Sequence, residues 1–209
     1  MLATIFLLKK ASPNNYDYYI FISGQDLPLL SNKSITRYLK NLDGASLIKY
    51  KEAGPGEMER MYYYWENDIG NKIFKLTVRV IRKLQRIIGI KRNPFPLKRY
   101  YKHSMWFALH KGAVDYILNF LENNPDFIKK MRYTTLIDEI WLGSILLNSP
   151  VKVLNKQSSF VNWTQGPEYP RTLRMEDFDG VIRQDCLFAR KFDMNVDKEV
   201  IFKFLKNRQ

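Results

Sequence analysis

The order of apolar and polar residues along the chain predicts strands that alternate with helices. Short runs rich in β-branched and aromatic residues predict strands at 18–22, 46–50, 151–155 and 159–163. Apolar residues spaced three or four positions apart predict helices at 2–10, 33–42, 136–149, 175–184 and 196–209, and a strand, a turn and a helix are expected within 104–125. Ser31 or Asn32 is expected to cap the second helix. This alternation is typical of an α/β layered domain.

The first predicted strand ends abruptly on small and polar residues. These residues are Ser23, Gly24, Gln25 and Asp26. In α/β folds, polar residues just past the carboxyl end of a strand lie where ligands bind. The same residues, followed by a proline, also have the chemistry of an ordinary turn. The pattern alone leaves both interpretations open.

Length and cysteine content restrict the class of protein. A chain of 209 residues is long enough for one domain with a substantial core. The only cysteine, Cys186, can form no internal disulfide, which favours a reducing compartment such as a bacterial cytosol. The apolar opening MLATIFLL has no basic leader and is far shorter than the ~20 residues that span a bilayer. We expect it to form a core helix rather than a signal peptide or a transmembrane helix.

Positive charge is concentrated in one segment of this basic chain. The net charge is +13, and residues 72–102 contain eleven Lys or Arg residues and no acid. Apolar residues from Ile73 to Ile88 recur near a 3.6-residue period with basic residues between them, which predicts a basic amphipathic helix. Such a helix can pack on the core with a solvated cationic face, or it can adsorb to an anionic lipid surface. Nucleic acid is disfavoured because the sequence has no zinc-finger spacing and no RNP-like aromatic strand.

Metal binding is also disfavoured by the residue types present. Two histidines and one cysteine do not make a convincing zinc site. Asp26 has no second carboxylate nearby that would complete an Asp-x-Asp pair. We therefore expect no metal and no cofactor.

Four segments occur in a fixed order that is similar to a known family. They are YDYYIFISGQDLPLLS, HSMWFALHKGAVDYIL, LIDEIWLGSIL and RTLRMEDFDGVIRQDCLFARKFD. Together they resemble the core-2/I-branching β-1,6-N-acetylglucosaminyltransferase family, and its bacterial members more than the disulfide-bonded animal ones. The resemblance extends over essentially the whole chain, and its most specific pieces are the strand that ends in SGQD and the block LFARKFD.

The resemblance implies both a fold and an activity. The implied fold is a variant GT-A glycosyltransferase fold with a Rossmann-like layered sheet, formed by residues 1–209 as a single domain with 72–102 as a basic insertion. The implied activity is an inverting, metal-independent transfer of N-acetylglucosamine or a related sugar from a UDP-sugar to a saccharide hydroxyl. A role in polysaccharide biosynthesis, with a lipid-linked acceptor at the cytoplasmic face of the membrane, is consistent with that activity.

The resemblance also implies roles for individual residues. Glu139 matches the catalytic base, and Lys191 and Arg171 match the cations that bind the donor diphosphate. Ser23, Gly24, Gln25 and Asp26 are expected to line the donor pocket. The expected acceptor contacts are Arg60, Phe160 and Trp163.

These roles are chemically reasonable, but each residue type also has an ordinary structural explanation. An inverting transfer needs one carboxylate as a base, and a departing diphosphate is stabilised by cations. Aromatic faces suit sugar rings. Without the resemblance, however, Glu139 near a helix start would be interpreted as an acid that meets the helix dipole. Lys191 and Arg171 would be surface residues, and Trp163 would be a core residue.

The sequence departs from the family pattern at several positions. Leu27 replaces an aromatic residue, Ile137 replaces a proline, and His103 stands where glycine is common. Met1 corresponds to a point inside the family domain, so the first strands of the sheet are expected to be missing. A truncated gene model, a decayed gene and a separately encoded N-terminal piece are all compatible with that difference. The alternative to an enzyme is an inactive fragment that binds anionic membranes or polyanions through residues 72–102.

Overall fold

The computed structural model describes residues 1–65, 80–81, 83–166 and 169–208. The chain forms two compact units, each assembled from separate stretches of sequence. The first unit contains Met1–Tyr16, Tyr50–Met105 and Gly112–Val151, and the second contains Asp17–Lys49, Trp106–Lys111 and Lys152–Gln209. The part of the predicted basic helix at 72–79 and 82 lies outside the described residues, whereas residues 80–81 and 83–87 are helical.

Most of the predicted helices form close to their expected positions. The α-helices with defined ends are α1 (Leu2–Ala11), α2 (Asn32–Lys40), α3 (Pro55–Tyr62), α4 (Lys111–Asn123), α5 (Asp126–Met131), α6 (Trp141–Leu147), α7 (Phe178–Val181) and α8 (Lys198–Lys206). Short 3-10 turns occur at Ser12–Asn14, Ile137–Glu139 and Met175–Asp177. Ser31 caps α2, because its side chain accepts a hydrogen bond from the Ser34 amide at 3.2 Å. The helix predicted at 136–149 is divided into a 3-10 turn and α6.

The strands form two mixed sheets. They are β1 (Tyr18–Ile20), β2 (Asp26–Pro28), β3 (Ser46–Glu52), β4 (Tyr101–His110), β5 (Val153–Leu154), β6 (Ser159–Val161) and β7 (Phe188–Arg190). One sheet has the order β1-β4-β3-β5, with β1 antiparallel to β4 and β3 parallel to β5. The other has the order β2-β7-β6, with β2 antiparallel and β6 parallel to β7. The mixed α/β class is therefore confirmed, while β2 and β7 were not predicted.

The core of the first unit is built mainly on α4, α5 and α6. Trp141, Leu142, Ile145 and Leu146 of α6 are fully buried. The rings of Phe95, Phe120 and Phe127 meet edge to face, with centroids 5.2 to 5.7 Å apart. The expectation of a core helix at the N-terminus is only partly correct. Helix α1 buries Ile5 and Leu8 but exposes Leu2, Phe6 and Leu7.

His103 on β4 fills a close-fitting space against α6. Its Nδ1 lies 2.8 Å from the carbonyl oxygen of Ser104, so Nδ1 is the protonated ring nitrogen. Burial lowers the pKa of His103 to about 4, which keeps the ring neutral at physiological pH. A Cβ atom added to Gly143 would lie 2.8 Å from His103 Cδ2 and 3.1 Å from its Cβ and Cγ. The histidine ring thus packs directly on the bare backbone of Gly143.

The second unit has its own core under the smaller sheet. Phe204 of α8 meets Phe178 and Phe192 with ring centroids 4.7 and 5.2 Å apart. Cys186 belongs to this core, and burial raises the pKa of its thiol to about 11. The thiol is therefore protonated and unreactive at neutral pH. The final predicted helix packs as expected, since Val200, Ile201 and Phe204 of α8 are buried.

Candidate active site

Glu139 lies at the end of a short turn in the first unit. The turn Ile137–Glu139 follows Leu136, whose backbone is left-handed with φ 52°, and the Glu139 amide donates to the Leu136 carbonyl at 3.0 Å. Helix α6 starts two residues later without a side-chain cap. Glu139 therefore makes no cap hydrogen bond to α6, and its carboxylate contacts other partners.

Two cations from different segments contact the carboxylate of Glu139. Lys102 Nζ of β4 lies 3.2 Å from Glu139 Oε2, and Arg60 Nη1 of α3 lies 3.7 Å from the same oxygen. Oε2 is buried, yet the side chain as a whole is 28% exposed. The solvent-facing surface therefore belongs to the other atoms of the side chain. Cations contact one carboxylate oxygen of a side chain that is partly exposed to solvent.

Glu57 anchors Lys102 on the side away from Glu139. Glu57 Oε2 accepts a hydrogen bond from the Gly54 amide at 3.0 Å, and its Oε1 lies 3.4 Å from Lys51 Nζ and 4.0 Å from Lys102 Nζ. Burial would raise the pKa of Glu57, but backbone hydrogen bonds, including that from Gly54, and the charge of Lys51 lower it below its usual value. Glu57 is thus a carboxylate that holds Lys102 between two acids.

The described part of this cluster carries an excess of positive charge. Its members are Lys51, Glu57, Arg60, Lys102 and Glu139. Three cations face two carboxylates, so one positive charge is left for an electronegative ligand. Arg60 and Glu139 were expected at the site from the sequence, and the structure brings them together. Lys102 and Glu57 were not expected, because nothing in the sequence pairs them with Glu139.

The polar turn after β1 lies in the second unit, and its groups bind mainly to one another. Asp26 Oδ2 accepts from the Ser23 amide at 3.0 Å, and Asp26 Oδ1 accepts from the Ser23 hydroxyl at 2.8 Å. Arg190 Nε lies 3.6 Å from Asp26 Oδ1, and the Asp26 side chain is fully buried. The Asp26 carboxylate is thus bonded within the turn and to Arg190, and its place in the donor pocket stays a prediction. Asp26 closes the turn and opens β2.

The same turn nevertheless borders a cavity of about 380 Å³. Gly24, Gln25 and Asp26 line one part of it, and Phe192, Asp193 and Met194 line another. The Gln25 carbonyl accepts from the Phe192 amide at 2.9 Å, which fixes the turn to the segment that contains Lys191. A donor pocket formed by Ser23, Gly24 and Gln25 stays a prediction.

The two predicted diphosphate ligands also lie in the second unit. Lys191 is half-buried and follows β7, where its carbonyl accepts from the Leu173 amide at 2.8 Å. Arg171 donates to Asp177 Oδ1 at 2.8 Å and also pairs with Glu176. Its charge is thus already balanced by two acids, and a phosphate would have to displace at least one of them. Both assignments stay predictions.

The two aromatic residues predicted to contact the acceptor have different surroundings. Phe160 of β6 packs against the core of the second unit, so its ring is not an open platform. Trp163 is 45% exposed and follows the same strand. The backbone amide of Arg171 donates a hydrogen bond to the Asn162 carbonyl at 2.8 Å. Arg171 therefore lies beside the loop that contains Trp163. Of the two, only Trp163 offers a ring face to solvent.

Within the described ranges, no three His, Cys, Asp or Glu side chains come close enough to hold a metal ion. The expectation of metal independence is not tested by that finding. The same ranges contain no helix that is long and apolar enough to cross a membrane.

Comparisons with known proteins find a matching family model and a curated relative. A family model described as "Core-2/I-Branching enzyme" matches residues 1–181. The chain is also 24% identical over 216 aligned positions to a zebrafish (Danio rerio) protein named beta-1,3-galactosyl-O-glycosyl-glycoprotein beta-1,6-N-acetylglucosaminyltransferase 4. That alignment covers 91% of this chain and 48% of the relative. The chain therefore spans about half the length of the curated protein it matches.

Proposed function

Because the chain belongs to the Core-2/I-branching enzyme family, we propose that it transfers N-acetylglucosamine from UDP-N-acetylglucosamine to a hydroxyl group of a saccharide. The name of the zebrafish relative, an N-acetylglucosaminyltransferase, supports the choice of donor sugar. The observation that carries the proposal is the partly exposed side chain of Glu139, whose carboxylate is held by Arg60 and Lys102. The proposed fold is the variant GT-A fold of the family.

The proposed reaction inverts the configuration at the anomeric carbon. Glu139 takes the proton of the acceptor hydroxyl as that oxygen attacks from the face opposite UDP. Arg60 is 24% exposed and reaches Glu139, so it can donate a hydrogen bond to a neighbouring acceptor hydroxyl while Lys102 keeps the carboxylate in place. The C1–O bond to UDP breaks in the same step.

The charge that develops on the departing UDP needs cationic partners. We assign this role to Lys191, and to Arg171 after it exchanges Glu176 or Asp177 for a phosphate oxygen. Gly24 and Gln25 would approach the donor through the cavity that they line. A reaction of this kind needs no metal ion, because side-chain cations supply the neutralising charge.

A direct assay tests this proposal. The purified chain is incubated with UDP-N-acetylglucosamine and a panel of saccharide acceptors, with and without EDTA. We expect release of UDP, a β-linked product seen by NMR, and no effect of EDTA, because Glu139 and the two cations suffice for the step. An α-linked product would exclude the inverting mechanism, and loss of turnover with EDTA would exclude metal independence. Absence of UDP binding would exclude a donor site in this chain.

Peripheral membrane binding is supported by the C-terminal part of the basic segment, which is the part that the structure describes. Val80, Ile81, Leu84, Ile87 and Ile88 are all about half exposed or more, which leaves an apolar surface without cover from the described part of the chain. Basic side chains at Lys83 and Lys91 flank these residues and are exposed. Exposed apolar groups beside cations suit the interface of an anionic bilayer. We propose that this segment holds the enzyme at such a surface, near a lipid-linked acceptor.

Vesicle sedimentation across a salt series tests the membrane proposal. We expect binding to vesicles that contain phosphatidylserine and not to pure phosphatidylcholine, with binding lost at high salt. The double variant Lys83→Glu and Lys91→Glu should weaken binding by roughly tenfold or more, since each basic residue near the surface contributes about 1 kcal/mol. Lys33→Glu with Lys206→Glu is the matched control, because both residues are exposed lysines on other helices. Equal weakening by the control pair would contradict a specific role for the segment.

A further inference from the structure

A second cavity, in the first unit, has walls of cations and aromatic rings. Its volume is about 280 Å³. It is lined by Tyr64, Arg92, Asp126, Lys129, Lys130 and Tyr133, together with one asparagine. Three cations against one carboxylate leave an excess of positive charge at this surface. The volume lies just below the usual range of ligand cavities, about 300–1,000 Å³, so it suits a single sugar ring.

Arg92 gives this cavity a fixed frame. The side chain is buried, and its Nη1 donates to the Tyr63 carbonyl at 3.2 Å and to Thr134 Oγ1 at 3.1 Å, while Nη2 donates to the Lys130 carbonyl. Burial lowers the pKa of Arg92, but a guanidinium group still keeps its charge at neutral pH. A buried, charged and hydrogen-bonded arginine therefore ties the chain at residue 63 to the chain at residues 130–134.

The two tyrosine rings lie next to each other and next to this arginine. The Arg92 guanidinium carbon lies 5.4 Å from the centroid of the Tyr64 ring and 6.0 Å from that of Tyr133. The rings themselves are 5.6 Å apart, and both remain more than 40% exposed. Two exposed rings held in place by a buried cation can pack on the apolar face of a sugar.

Residues that line the cavity belong to the same stretches of chain as residues of the candidate active site. Tyr64 lies two residues after the end of α3, which contains Arg60, and Tyr133 precedes the turn that contains Glu139. The Trp65 amide donates to the Tyr133 carbonyl at 2.9 Å, so the two segments are joined beside the cavity. The same two stretches of chain thus supply both the proposed base and the rings.

We infer that this cavity binds an acidic sugar residue of the acceptor glycan. The inference rests on the proposed function and adds to it the chemical class of the acceptor. Tyr64 and Tyr133 contact the ring of that residue, and the ammonium groups of Lys129 and Lys130 pair with its carboxylate. A neutral sugar would gain the stacking but not the ion pairs, so the cavity selects acceptors that carry negative charge.

Binding of defined oligosaccharides tests this inference without any transfer reaction. The probes are a hyaluronan tetrasaccharide, which contains glucuronic acid, and its carboxyl-reduced counterpart, which is neutral. We expect the acidic probe to bind at least roughly tenfold more tightly by isothermal titration, since a charged hydrogen bond is worth more than a neutral one. Lys129→Gln with Lys130→Gln should remove that preference. Lys9→Gln with Lys10→Gln on α1 is the matched control and should retain it.

Two further measurements are needed. One distinguishes this site from a general anion-binding site, and the other distinguishes this inference from the proposed catalysis. Inorganic phosphate should fail to displace the acidic probe, because phosphate offers no ring to the tyrosines. Glu139→Gln should bind the acidic probe as well as the unsubstituted chain does. Equal binding of the two tetrasaccharides, or full displacement by phosphate, would overturn the inference while leaving the proposed transferase function in place.

Discussion

Replacing Glu139 by glutamine is expected to remove almost all sugar transfer. A general base contributes about a hundredfold to ten-thousandfold in rate, so kcat should fall by about that factor. Glutamine keeps the size of the side chain and can still interact with Lys102 and Arg60, but it does not accept the proton of the acceptor hydroxyl. Affinity for UDP should be unchanged. Turnover by product NMR and UDP affinity by calorimetry measure the two effects separately.

Three comparison variants make the result specific to the carboxylate at position 139. Asp138→Asn removes an acid from the same turn and should keep most of the activity. Lys102→Met keeps the carboxylate but removes the cation 3.2 Å from its Oε2. We expect it to lose roughly tenfold in kcat, and Lys102→Arg to recover most of that loss. Full activity in Glu139→Gln would remove Glu139 from the proposed role.

Replacing Gly143 by alanine should lower stability more than any other glycine substitution discussed for this chain. The new methyl group would lie 2.8 Å from a buried atom of His103. Overpacking of this kind costs about 1–3 kcal/mol, and the better helix propensity of alanine returns about 1 kcal/mol. We therefore expect a net loss of up to about 2 kcal/mol, seen as a fall in Tm of up to roughly 8 °C.

The partner of that contact provides the decisive control. In a His103→Gly background the added methyl group meets no ring, so Gly143→Ala should become neutral or stabilising there. Gly180→Ala is a matched control in another helix, because a Cβ at that position has nothing within 4 Å. Gly180→Ala should leave Tm unchanged or raise it. An equal cost of Gly143→Ala in both backgrounds would show that His103 is not its cause.

The same pair of residues gives a structural account of one departure from the family pattern. The resemblance places glycine at position 103, where this chain has histidine. The histidine is accommodated because the residue it meets on α6 is itself a glycine. Sequence alone did not reveal this compensation, since the two positions are 40 residues apart and only the packing of β4 on α6 brings them together.

The fold was predicted best where local chemistry decides it. Ser31 was recognised as a possible cap because serine before a helix has that chemistry, and α8 followed from its apolar period. Strand β2 was missed because Asp26 and Pro28 are residue types that usually avoid strands. Proline is tolerated there because β2 is at the edge of its sheet. The pairing of β2 with β7 across more than 150 residues of sequence decides the structure instead.

In the candidate site, too, some residues could be predicted from the sequence and others only from the folded structure. Glu139 and Arg60 came from a resemblance that ties residue types to roles. Lys102 lay inside a segment with eleven basic residues, so its charge did not distinguish it from its neighbours. Its importance follows from distances to Glu57 and Glu139, which only the folded chain provides. The charge of Arg92 did not distinguish it from its basic neighbours either, although Arg92 is buried and lines a cavity.

The isolated thiol in the second unit makes this chain well suited to site-directed labelling. Cys186 is the only cysteine, it is buried, and its pKa of about 11 keeps it out of thiolate chemistry at neutral pH. A cysteine introduced at an exposed position such as Tyr169 would therefore react with a maleimide fluorophore or a nitroxide while Cys186 stays unmodified. Fluorescence quenching and electron paramagnetic resonance could then follow saccharide binding at one chosen position, without removing a native residue from the core.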